Sequence, residues 1–220
     1  VLVLAIDTST PAVTAGVVAL DGDEVRTRGD RVTVDARAHG ELITPHALAA
    51  AEAAGVALKD LDAIVAGVGP GPFTGLRAGM ATAAALGHAL GIPVYPVCSL
   101  DALAADVASD EPFLVVTDAR RREVYWAAYD SAGNRTDGPH VQRPADVGSD
   151  IEVAAGDGAL QYADALGVRT IEPRFPSPAG LVKAAKAALL ASEEPAPLTP
   201  LYLRRPDAAE PSAPKRVTVP

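Results

Sequence analysis

The sequence predicts an α/β protein, and three observations carry that prediction. Short, predominantly apolar runs at residues 1–6, 61–68 and 93–97 have the length of buried strands. Ala-rich segments at 41–54 and 73–90 have the length and spacing of helices, and strands alternating with helices make a sheet covered by helices. The third observation is a repeat. Residues 1–21 run strand, Asp7, turn, strand, Asp21, and residues 113–130 run strand, Asp118, turn, strand, Asp130. Hairpins often take this form by chance; a true repeat divides the chain into two related halves of roughly 100 residues.

Each element follows from its residues. The run 1–6 ends at the polar turn Asp7-Thr8-Ser9-Thr10-Pro11, the run 12–20 ends at Asp21-Gly22, and 25–34 alternates as a more exposed third strand, giving a meander. Helix 41–54 places Leu42, Ile43, Leu48 and Ala51 on one face and stops at Gly55. Pro45 either opens it after a Thr44 cap or kinks a longer helix. Strand 61–68 leads into Gly69-Pro70-Gly71-Pro72, then the long helix 73–90, strand 93–97 and a helix 99–108 with Ser99 as cap and Asp101 in its first turn. The second half reads as strands 113–117, 123–129 and 151–155, the last entering Gly156-Asp157-Gly158, and a helix 180–191. From Pro195 onward seven prolines fall in 26 residues, so the last dozen residues are expected to be disordered, with Leu201-Tyr202-Leu203 docked.

Composition narrows the function. Hydrophobic residues make 49% of the 220-residue chain, but Ala supplies 45 of them and aromatics only 4%, so the core is built from small side chains. A net charge of -9 argues against a chain that holds nucleic acid alone, because phosphate binding is a Lys and Arg effect. The single Cys98 excludes a disulfide framework and reads as a buried thiol. Residues 78–100 lack any Asp, Glu, Lys or Arg, but Gly91, Pro93 and Pro96 cut the run short of a membrane span. Residues 1–6 meet Asp7 with no basic start or cleavage site, and the expectation is a cytoplasmic protein without a membrane partner.

The strongest local signal is Gly69-Pro70-Gly71-Pro72-Phe73-Thr74-Gly75-Leu76-Arg77-Ala78-Gly79. A turn opening a helix leaves backbone N–H groups unpaired, which suits an anion; a rigid helix entry is the plainer reading. The Gly-Lys-Ser/Thr ending of a P-loop is missing. Gly75, Gly79, Ala83 and Gly87 recur every four residues, and a helix that accepts interior glycines gains close approach, either to helix 41–54 or to another chain. Asp7, Thr8 and Ser9, with Asp118 from the second half, are candidate ligands of a magnesium-bound phosphate, although such residues are also ordinary turn formers. His39, His46, His88 and His140 have no metal spacing, and Arg120-Arg121-Arg122 at a hairpin tip is either a solvated turn or an RNA contact.

Taken together, residues 4–9, the segment 67–79 and Asp118-Ala119-Arg120-Arg121-Arg122-Glu123-Val124-Tyr125 resemble the TsaB (YeaZ) family, and Leu201-Tyr202-Leu203-Arg204 is similar to the family's closing Tyr-Leu-Arg. The resemblance implies a two-lobed actin-like ATPase fold, a duplicated ribonuclease-H-like mixed sheet with flanking helices. The corresponding division is an N-terminal lobe at 1–108, a C-terminal lobe at 109–205 and a Pro-rich tail at 206–220. It implies a non-catalytic subunit in the formation of threonylcarbamoyladenosine in tRNA that reads codons beginning with A. The related TsaD transfers the group and TsaE is an ATPase. The His-x-x-x-His metal pair of TsaD falls here near Ser99 and Leu103, which cannot replace imidazole, so no metal or cofactor of its own is expected; ATP/ADP and metal belong to partner subunits. The resemblance assigns docking of TsaD, or of a second copy when alone, to helices 41–54 and 74–90. Leu48, Ala51, Gly75, Leu76, Gly79, Met80, Ala83 and Gly87 are then the expected interface, with tRNA met indirectly. The competing reading is a stand-alone nucleotide-dependent kinase or hydrolase using Asp7, Thr8 and Asp118.

Overall fold

A computed structural model describes residues 1–204. The first half folds as β1 (Leu2–Asp7), β2 (Ala12–Asp21), β3 (Glu24–Val34), α1 (His39–Ala54), β4 (Ala63–Gly67), α2 (Phe73–Leu90), β5 (Val94–Val97) and α3 (Ser99–Ala104). The second half adds β6 (Phe113–Asp118), β7 (Val124–Tyr129), β8 (Arg135–Gln142), β9 (Val153–Ala155), α4 (Asp157–Gln161), α5 (Ala163–Leu166), β10 (Arg169–Ile171) and α6 (Pro178–Ala191).

The two sheets share one topology. The first is ordered β3-β2-β1-β4-β5 and the second β8-β7-β6-β9-β10. In each, an antiparallel meander supplies three strands and the first strand of the meander pairs in parallel with the next. Ile6 faces Ala15 across the first hairpin as Thr117 faces Tyr125 across the second. The duplication is therefore real.

β1 is buried on both faces, which explains its unbroken apolar run. Leu4 and Ile6 face Ile43, Ala47 and Ala51 of α1 and Ala83 of α2. Val3 and Ala5 face Leu181, Val182, Ala185 and Leu189 of α6. The helices that fill the cores are exchanged between halves. α3, which closes the first half, sends Leu100, Leu103 and Ala104 against Phe113, Val115 and Tyr129 of the second sheet, while α6 from the end of the second half covers the first sheet. A division at residue 108 separates the strands of the two sheets but not these helices. The small-residue composition has a location here: Ala47, Ala50, Ala51 and Ala83 are buried where α1 and α2 lie on the sheet.

After α6 the chain returns to the first lobe as a strap. The Leu201 N–H donates to the Val68 carbonyl at 2.8 Å, and Leu198 and Leu201 pack with Val68, Leu76 and Met80. The Tyr202 ring sits edge-on to Phe73 at 4.7 Å between centroids, and its hydroxyl accepts from Arg77 Nε at 2.6 Å. Arg204 then pairs with Glu123 of the second lobe, so the strap joins the lobes. The docking expected for Leu201 to Leu203 is present. Residues 205–220, with Lys215 and Arg216, lie outside the described residues.

Several local readings change. α1 begins at His39 and carries Pro45 inside it, so Thr44 is no cap. α3 ends at Ala104 rather than 108, and Ser99 does not cap it, because its hydroxyl is engaged elsewhere. β8 and β10 give no apolar run in the sequence; β8 is an edge strand with no buried residue and Pro139 inside it.

Candidate functional site

Asp7 ends β1 and is almost fully buried at 1% exposure. Its Oδ1 accepts from Ser9 N at 2.9 Å and Ser9 Oγ at 2.7 Å, and its Oδ2 accepts from Ser99 Oγ at 2.5 Å. Burial pushes the Asp7 carboxyl above its ordinary range, with the bonds from Ser99 and Ser9 pulling the other way.

Thr8 is equally committed. Its hydroxyl donates to the Gly75 carbonyl at 2.7 Å and accepts the Gly79 N–H at 3.1 Å, so it is inserted into the hydrogen-bond ladder of α2. That insertion explains Gly75 and Gly79. A Cβ on Gly79 would lie 2.3 Å from Thr8 Oγ1, and one on Gly75 would lie 3.0 Å from the Thr8 carbonyl oxygen and 3.2 Å from the His39 ring. At Gly87 the neighbour is Val94 Cγ2, at 2.3 Å.

The glycine stripe thus faces its own lobe. Gly75, Leu76, Gly79, Met80, Ala83 and Gly87, with Ala51 of α1, are buried within the chain. They form no free docking surface, which corrects the expected interface; Leu76 and Met80 are covered by the strap. Of the expected set only Leu48 is exposed, at 53%. Asp7, Thr8 and Ser9 are likewise corrected as phosphate ligands, because their polar atoms are spent inside the fold and they do not fit a nucleotide's phosphates.

The corresponding turn of the second lobe differs. Arg120, Arg121 and Arg122 have φ of 63, 55 and 62°, a left-handed stretch that exposes all three side chains. Asp118 Oδ1 accepts from Arg120 N at 3.1 Å and from the Tyr162 hydroxyl at 3.4 Å, with Arg120 Nε 3.9 Å from Oδ2. Beside it Asp157, in the first turn of α4, is buried, and its Oδ1 has no hydrogen-bond partner. Burial, then the neighbouring Asp118, pushes the Asp157 carboxyl up to about 6. Asp157 went unassigned in the sequence; its signal is the glycine–acid–glycine step that follows β9.

Between the two turns lies a cavity of about 300 Å³, lined by Thr10, His39, Phe73, Thr74 and Gly75 from the first lobe and by Asp118 and Arg120 from the second. His39 is buried and donates from Nε2 to the Thr10 carbonyl at 2.7 Å. The other histidines are apart: His46 bonds Thr33, His140 bonds Asp137, and His88 is exposed. Among the described residues no three His, Cys, Asp or Glu side chains gather where a metal could bind. Ser99 and Leu103 are both buried. Burial pushes the Cys98 thiol up to about 11, which leaves it a poor nucleophile at neutral pH. No helix of the described residues is long and apolar enough to cross a membrane.

The family model described as TsaD, tRNA N6-adenosine threonylcarbamoyltransferase, matches residues 32–188. The solved structure of YeaZ from Pseudomonas aeruginosa superposes with a TM-score of 0.76 at 28% identity, over 92% of this chain and 99% of that one. The chain belongs to the TsaB (YeaZ) family. The tRNA threonylcarbamoyladenosine biosynthesis protein TsaB of Escherichia coli is 35% identical over 130 residues, which cover 58% of this chain and 54% of that protein, about half its length. An uncharacterized protein of Mycobacterium tuberculosis is 59% identical over 206 residues, 94% of this chain and 93% of its own. Membership places the chain in tRNA threonylcarbamoyladenosine biosynthesis, and its fold is the duplicated, two-lobed actin-like one.

Proposed function

We propose that this TsaB-family chain is a non-catalytic scaffold of the assembly that installs the threonylcarbamoyl group on adenosine next to the anticodon, in tRNAs reading codons that begin with A. It docks a TsaD homologue through the outer faces of α1 and α2 and helps recruit the ATPase TsaE. ATP/ADP and metal are held by those partners, tRNA is met through them, and a second copy occupies the same face when the chain is alone.

The observation that carries this reading is the exposed side of α2. No Asp, Glu, Lys or Arg occurs from Ala78 to Gly91, and Ala81, Ala84, Ala85, His88 and Ala89 are exposed, with Leu48 on the neighbouring α1. An uncharged small-residue face lets a partner helix approach closely and requires little desolvation. The kinase or hydrolase alternative is less well supported, since it needs Asp7 and Thr8 free.

The test is co-elution with the cognate TsaD homologue. Ala85→Arg combined with Leu48→Glu is expected to abolish the complex while leaving the circular dichroism of the isolated chain unchanged. A complex of undiminished affinity would overturn the assignment of this face.

A further inference from the structure

We propose that residues 193–204 are a latch that fixes how far the two lobes stand apart. The strap is anchored on the first lobe by buried apolar contacts and clasped to the second by Arg204 on Glu123, and the clasp is the part that releases.

On one side the lobes share a close-packed axis. α3 and α6 meet at the backbone: a Cβ on Gly180 would lie 2.2 Å from the Ala102 carbonyl oxygen, and Ala102 and Leu181 belong to one apolar cluster. Ser177 Oγ donates to Asp106, and Lys183 Nζ pairs with the same carboxylate at 2.7 Å, which ties the end of α3 to the start of α6. The chain crosses from one sheet to the other just before each of these helices. Two bodies joined along such an axis can hinge about it unless a second tie holds them elsewhere.

The strap supplies that second tie. Its start is held on β5, where the Tyr95 hydroxyl donates to the Glu193 carbonyl at 3.0 Å. Pro195, Pro197 and Pro200 follow, and rings that fix φ make the segment stiff, so it transmits a pull instead of absorbing it. Leu198, Leu201 and the Tyr202–Arg77 bond then fasten it over Val68 and α2. Tyr202 rests on Phe73, which lines one wall of the cavity between the lobes, and Glu123 belongs to the turn whose Arg120 lines the other. No residue of α3 or α6 lines that cavity, so the strap bridges the lobes apart from their axis.

The two ends of the latch differ in kind. Apolar burial on the first lobe is not screened by salt, whereas the clasp is an ion pair whose Arg204 and Glu123 side chains are 19% and 33% exposed. Glu123 is a fixed receptor for it: its N–H donates to the Arg120 carbonyl at 3.0 Å and its carbonyl accepts from Ala119 N–H at 2.9 Å, closing the turn. Arg204 follows Tyr202 by two residues, so little slack separates anchor from clasp. Loss of the pair therefore frees the second lobe while the strap stays seated on the first.

Double electron–electron resonance on the full chain tests this, with spin labels at Glu52→Cys on α1 and Asp164→Cys on α5, both exposed, in a Cys98→Ser background. The parent should give one narrow distance distribution. Arg204→Glu sets two carboxylates against each other and should broaden and shift it by about 2 Å or more, the scale of domain rearrangement. The exchanged pair, Arg204→Glu with Glu123→Arg, should restore the narrow distribution, which a merely structural arginine would not allow. Raising salt from about 0.05 to about 1 M should move the parent toward the Arg204→Glu distribution and leave that variant unchanged. Leu201→Asp, which detaches the anchor, should match Arg204→Glu. A distribution that Arg204→Glu leaves as in the parent, or one that the exchanged pair does not restore, would overturn the latch. No partner subunit enters the measurement, so its failure leaves the scaffold reading intact.

Discussion

At the end of β1, Asp7 receives three hydrogen bonds from Ser9 and Ser99 and is closed off from solvent. At the same topological point of the second lobe, Asp118 is half-buried, shares its space with Asp157, and opens on the cavity between lobes. The strand order around the two aspartates is the same; the neighbours are not. Hydroxyl groups donate to a carboxylate and allow it to be buried, whereas a second carboxyl repels it and must stay near water or keep a proton. Duplication thus transmitted the sheet, and side-chain chemistry decided which copy of the turn became structural and which stayed accessible.

The largest test of this contrast is Gly79→Leu in the first lobe. Its side chain meets Thr8 Oγ1 at the distance of a clash, expels the hydroxyl from the α2 ladder, and should cost about 3 kcal/mol in urea unfolding. A loss near zero would mean that the Thr8 insertion does not hold the turn.

Asp157→Asn probes the second lobe and should act in the opposite direction. The folded protein raises this carboxyl from 3.8 to about 6, so it favours the protonated form, and its contribution to stability is present below about pH 4 and lost as pH rises through about 6. The Asn variant should therefore be more stable than the parent by up to about 3 kcal/mol at pH 7, with the difference vanishing toward pH 4. Equal stability at both pH values would show that Asp157 is not held in a costly ionised state.

A paired comparison gives the smallest effects. Ser99→Ala deprives a buried carboxylate of a donor and should cost about 1–2 kcal/mol, whereas Tyr162→Phe removes a long, 3.4 Å bond at a half-buried site and should cost under about 0.5 kcal/mol. Equal losses would erase the distinction between the two turns.

Most of the fold was legible because buried strands and amphipathic helices leave periodic marks. β1, β2, α2 and the repeat of β6 and β7 were readable for that reason, and so was the docking of Tyr202. β8 was not, since an exposed edge strand has no apolar period. The site was harder. The glycine spacing at 75, 79 and 87 announces close approach, but the sequence does not say to what; at Gly87 it is the nearby Val94, and at Gly75 and Gly79 it is a threonine 71 residues from Gly79, a contact made only by the tertiary fold. Ser99 looked like a cap because Ser before a helix usually is one, and a buried carboxylate outcompeted the helix for its hydroxyl. Asp157 was marked only by its two flanking glycines, and its significance arises from burial beside Asp118.

The exchange of α3 and α6 between the lobes governs how the chain can be born. When the first hundred or so residues have left the ribosome, the sheet they encode has α1 and α2 for one face, but Val3, Ala5, Val18, Val65 and Val97 await a helix that lies beyond residue 177. That apolar surface stays bare until α6 has been made, a window in which nascent chains associate wrongly. Each lobe completes its core with a helix that chain order assigns to the other half, so the first sheet is covered only after the second has been made.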